Sequence, residues 1–95
     1  MEAQDGIQFL ILLLKDQRYP MDTQDLEAAI KIASRRQPTG AFKEAARHYA
    51  ARHGSCVASG YLGFAKGTRW LAVLRRDEGE QAFEEICQKL KEVMK

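Results

Sequence analysis

The sequence is poor in the residues from which most recognisable sites are built. Two cysteines and two histidines occur among its 95 residues. Cys56 and Cys87 stand far apart, with no CxxC pair and no Cys/His ligand spacing, which argues against a structural zinc site. Two free thiols in a reducing cytoplasm are expected rather than a single disulfide. The apolar run 7–14 is too short to span a bilayer. It has no basic flank before it and no small-residue cleavage site after it, so neither a membrane partner nor a signal peptide is expected. Repeats and low-complexity tracts are absent as well. What remains is the composition of an ordinary globular protein, 45% hydrophobic and 29% charged. Ninety-five residues make one domain, residues 1–95, with a small core that a homodimer would enlarge.

Catalytic motifs are missing too. The stretch "GSCVASGYLGFAKGTRW", 54–70, holds four glycines. A phosphate-gripping P-loop needs GxxxxGK[ST] leading into a helix, and here Gly67 is followed by Thr68 and Arg69. Ser55 or Cys56 is a conceivable nucleophile beside His48 or His53, but no neighbouring acid in the sequence orients either ring. No enzyme, cofactor or metal is expected. "AFKEAARHYAARHGSC" followed by "GYLGFAKG" is loosely similar to parvulin prolyl isomerases, over about a quarter of the chain. Gln8 stands where that family's first-strand histidine belongs, and a closing helix replaces its last strand. The chain is therefore assigned to no family.

Net charge is only +2, but its distribution is uneven. Residues 1–27 carry about −4 and residues 77–95 about −3, while residues 28–76 carry about +9. Such a basic middle suits a polyanion or an acidic protein surface. Alternatively, the acidic ends fold back and neutralise it.

Periodicity predicts three helices, a hairpin and a final helix. The leucine-rich run 7–14, with Asp5 as a cap, reads as a short helix ending before Pro20. The next helix has Asp22 or Thr23 as cap, an apolar stripe of Leu26, Ala29, Ile30 and Ala33, and a stop at Pro38. Thr39 is expected to cap the third, which runs to a C-terminal Gly54. Phe42, Ala45, Ala46 and Tyr49 share its inner face, and Lys43, Arg47, His48 and Arg52 its outer one. "SCVASGYL" and "RWLAVL" read as antiparallel strands with "GFAKG" as the turn, their glycines serving to bend the chain. In the last helix Ala82, Phe83, Ile86, Cys87, Leu90, Val93 and Met94 recur at helical spacing, which makes Cys87 a core thiol.

Helix, helix, helix, hairpin, helix is the order of a winged-helix-like α+β domain. The alternative makes 7–14 a strand in a three-stranded antiparallel sheet packed on helices. On the winged-helix pattern the third helix reads nucleic acid, DNA rather than RNA, and the hairpin tip adds phosphate contacts. The residues that would carry this are Lys43, Arg47, His48 and Arg52 on the helix, and Lys66 and Arg69 at the tip. The rival function is a non-enzymatic adaptor or inhibitor. It would join a partner through its apolar first and last segments and meet an acidic protein surface with its basic middle.

Overall fold

The computed structural model describes residues 8, 10–12, 15, 21–54 and 58–93, with the side chains of 58–61 left aside. Among the described residues the fold is an all-helical bundle without a strand. Four helices follow in order: α1 (Thr23–Arg35), α2 (Pro38–His53), α3 (Ala58–Glu78) and α4 (Glu80–Val93). The described positions of the opening segment, Gln8, Leu10, Ile11, Leu12 and Lys15, are helical as well. The expected caps and strand residues at Asp5, 55–57 and Met94 lie outside the described residues.

The hairpin expectation is overturned, and the winged helix and the three-stranded sheet fall with it. Residues 58–78 form one 21-residue helix, where two strands ending at 62 and 74 and a turn over 63–67 are expected. The physical reason is burial on every side over its later turns, 71–74. Leu71, Ala72, Val73 and Leu74 are all buried, and four successive residues of a helix point in four directions about 100° apart. A helix enclosed by neighbours shows no polar face, so its sequence resembles a buried strand. The glycines do not mark a turn either. Gly60, Gly63 and Gly67 recur at i, i+3 and i+7, which places them along one face of α3.

Gly67 shows what that face is for. A methyl group built there would stand 2.4 Å from both Cγ and Cδ2 of Leu10. Leu10 is itself fully buried. The opening segment therefore packs straight onto the α3 backbone, and only a residue without a side chain leaves room. Thr68, one residue on, buries its hydroxyl by donating to the Phe64 carbonyl at 2.9 Å.

The other helices surround α3. Leu26, Ala29, Ile32 and Ala33 of α1 are buried, as are Ala41, Ala45 and Tyr49 of α2 and Phe83, Cys87 and Leu90 of α4. Burial pushes the Cys87 thiol up to about 11, in keeping with a packed side chain rather than a nucleophile. The expected stripes on α1, α2 and α4 are thus the faces that the bundle buries. Their apolar ends are mostly spent inside it, although Leu12 stays 63% exposed and Val93 40%.

Helix ends follow local chemistry. Asp22 caps α1 in a reciprocal capping box with Asp25. Thr39 does not cap α2, because Pro38 occupies the first helical position and Gln37 precedes it as the cap. The α1 carbonyl of Ala33, which α1's own backbone leaves open, accepts from Arg75 Nε at 2.9 Å. Gly79 is the sole residue between α3 and α4. At φ 96° its N–H donates to the Arg75 carbonyl and its carbonyl accepts from Phe83 N–H, both at 3.1 Å. It closes one helix and opens the next.

Gly67→Ala should gain about 1 kcal/mol of helix propensity and lose more than that, on the order of 2 kcal/mol, to overpacking against Leu10. Denaturant melts of Gly67→Ala, Leu10→Ala and the double variant test the contact. The double variant is expected to be more stable than the sum of the singles, since the new methyl fills space that Leu10 vacates. Simple additivity would place the clash elsewhere.

Candidate functional site: a basic pocket between α2 and α3

The basic middle of the chain divides into two halves. Arg52 reaches back to α1, where Nη1 and Nη2 meet the Asp22 carboxylate at 2.6 and 2.7 Å. Arg35 and Arg36 hold Glu44. Arg75 binds Glu80 at 2.9 Å, and Arg76 binds Asp77 at 2.8 Å. The acidic flanks do fold back, and they neutralise these five arginines together with Glu44. The remaining five, Lys31, Lys43, Arg47, Lys66 and Arg69, have no ion pair among the described residues.

Three of those five surround one pocket. Thr39, Phe42 and Lys43 from α2 and Lys66 and Arg69 from α3 line a cavity of about 320 Å³. Each is placed by helical phase. Phe42 and Lys43 lie one turn after Thr39, and Phe42 is half-buried at the edge of the core. Residues 62, 66 and 69 fall at i, i+4 and i+7, along the outward strip of the otherwise enclosed α3. Leu62 opens that strip and is 41% exposed. The two helices run antiparallel, since Tyr49 and His48 near the end of α2 meet Phe64 near the start of α3, at 5.2 and 5.9 Å between rings. From the pocket, Arg47 on α2 and Leu62 on α3 therefore continue toward the same end.

The six residues expected to act together separate into two places. Lys43, Lys66 and Arg69 share the pocket, and Arg47 lies one turn from Lys43 and exposed. His48 and Arg52 turn the other way, toward α1. They and His53 surround Asp25, whose side chain is fully buried. Asp25 Oδ1 lies 2.8 Å from Arg52 Nη1 and 3.4 Å from His48 Nε2. Oδ2 lies 2.8 Å from His53 Nε2 and accepts from the Asp22 N–H at 3.1 Å.

Sequence reasoning found no acid to orient either histidine, yet Asp25 faces both across 23 and 28 positions of chain. Its place in the first turn of α1 explains an acid by the helix dipole alone and gives no local sign of this role. Phe42 had registered as a core residue and Leu62 as part of a strand. Winged-helix DNA binding is overturned here as well as in the fold: the described residues form no wing, and Arg52 is committed to carboxylates. Among the described residues no cluster of histidine, cysteine and carboxylate groups is placed to hold a metal ion, and no helix is long and apolar enough to cross a membrane.

The Arg52 guanidinium holds the Asp22 carboxyl well below the usual carboxylate range, against the opposing effect of burial. Arg36 and Arg35 lower Glu44 in the same way. A depressed carboxylate stabilises the fold above its unfolded value, near 3.9 for aspartate, and this is lost as pH falls through its folded value. Asp22→Asn keeps the helix cap but removes the charge, so its stability should fall less steeply than wild type below about pH 4. Acid titration followed by circular dichroism measures this, and parallel curves would remove Asp22 from the acid response. At neutral pH, Asp25→Ala is expected to cost about 2–4 kcal/mol, since it empties a buried site of charged hydrogen bonds. Asp22→Ala should cost nearer 1 kcal/mol, the value of an exposed cap. Urea melts of the two variants rank them.

No family model, curated protein or solved structure matches this chain, so the functional reading stands on the geometry and charge of the α2–α3 face.

Proposed function

We propose that the protein is a non-enzymatic interaction module that presents its α2–α3 face to an acidic protein surface. The observation that carries this is the sorting of charge. Half of the basic middle is consumed by carboxylates of the same chain, while Lys43, Arg47, Lys66 and Arg69 have no ion pair among the described residues and lie on two adjacent helices. Leaving such a group of cations together costs self-repulsion, and a complementary acidic surface relieves it. Helices supply a rigid platform for side chains that need a fixed spacing. The fully buried Asp25 and the packed Cys87 serve the fold in this reading, and neither is presented to a substrate.

The test is retention on immobilised poly-L-glutamate as salt is raised. Lys43→Glu/Arg47→Glu/Lys66→Glu should elute early. Lys89→Glu/Lys91→Glu, a control on the exposed side of α4, should elute close to wild type after allowance for its smaller charge change. Equal loss from both variants would reduce the effect to net charge and sink the assignment of this face.

A further inference from the structure

The pocket is more than a group of charges. Its lining joins an apolar floor, the half-buried Phe42, to three cations, Lys43, Lys66 and Arg69, whose methylene stems add apolar surface beneath their charges. About 320 Å³ lies at the lower end of the range for ligand sites, roughly 300–1,000 Å³. That is ample room for a side chain presented by a partner. An aliphatic side chain would use the floor but leave the cations to its flanking residues alone, and a bare carboxylate would leave the floor unused. An aromatic ring answers both. It stacks on Phe42 and offers the negative face of its π system to Arg69, Lys66 and Lys43. Carboxylates on either side of the ring in sequence would then lie against the ammonium and guanidinium heads at the rim.

We infer that the pocket between α2 and α3 receives a single aromatic side chain from an acidic segment of a partner protein. This rests on the interaction-module reading and names the partner's chemistry. Charge complementarity sets the sign of the segment, and the floor and volume set its anchor. The exposed Leu62, one turn from Lys66 on the same strip of α3, extends the apolar contact beyond the pocket. A nucleic acid offers the same two ingredients, stacking bases and negative charge, but it needs a track of cations along its backbone. Here the track is short. Arg52, Arg35 and Arg36, which would lengthen it, are held by Asp22, Asp25 and Glu44.

Fluorescence anisotropy with the whole chain tests the inference, using three labelled peptides. The first is Glu-Asp-Glu-Phe-Glu-Asp-Glu, the second has Ser in place of Phe, and the third keeps Phe but has Gln for every acid. The first should bind at least tenfold tighter than either of the others. Phe42→Ala should bring the ratio of the first two close to one while the weak binding due to charge persists. Phe42→Leu, which keeps the side chain's bulk but removes the ring face, should cut that ratio at least threefold. Lys66→Ala/Arg69→Ala should weaken both acidic peptides. Equal affinity for the Phe and Ser peptides in wild type, or a ratio that survives both Phe42 variants, overturns the inference and leaves the interaction module standing. No binding of either acidic peptide at low salt overturns both. A ten-nucleotide oligothymidine that binds more tightly than the Phe peptide, and is weakened equally by Lys66→Ala/Arg69→Ala, would assign the pocket to nucleic acid and overturn it as well.

Discussion

The structure depends on one constraint: α3 runs through the middle of the bundle and must be covered on nearly every side. A 95-residue chain has little apolar surface with which to surround a 21-residue helix. It succeeds because the cover comes close. Gly67 lets Leu10 rest on the α3 backbone, the small faces of α1 and α2 bring Ala29, Ala33, Ala41 and Ala45 into the core, and Gly79 folds α4 back after a single residue. Small residues shorten the distance between helices, and the larger Tyr49, Phe64, Leu71, Phe83 and Leu90 fill what remains.

The same constraint produces the functional face. Once α3 is enclosed, only a narrow strip of its middle reaches the surface, and that strip carries Leu62, Lys66 and Arg69. Covering by α2 sets Thr39, Phe42 and Lys43 beside it. The cations there face away from the Asp22–Asp25 and Glu44 carboxylates that hold the others, so they gather with no ion pair among the described residues. The Asp22–Asp25–Arg52 network contributes from the other end of α2, where charge-assisted hydrogen bonds from Arg52 to Asp22 and its ion pair with Asp25 tie that helix to the start of α1. It holds the helix on which half of the pocket is built.

Amphipathic faces were legible wherever one side of a helix meets water. The buried stripes of α1, α2 and α4, a cap at Asp22 or Thr23 and the core position of Cys87 all follow from period and residue type, because a half-exposed helix repeats its apolar residues at 3.6 positions. α3 was illegible by the same reasoning. Leu71–Leu74 are apolar in every direction, Gly60, Gly63 and Gly67 count as turn formers when read by type, and nothing local states that Leu10 will stand over Gly67. Nor does charge order along the chain reveal which arginines meet carboxylates, since Arg52 and Asp22 are 30 residues apart.

By itself the sequence determined that amphipathic helices lie after Asp22, between Pro38 and Gly54 and beyond Asp77, and that a positive centre stands between negative ends. Those properties depend on neighbours within a turn or two and on composition. Only the tertiary structure decided that 58–78 is a helix, that Lys43, Lys66 and Arg69 share a pocket, and that Arg52 and His48 face a buried carboxylate. Each of those depends on groups brought together from distant parts of the chain, where burial overrides local preference and ion pairing selects which charges remain for a partner.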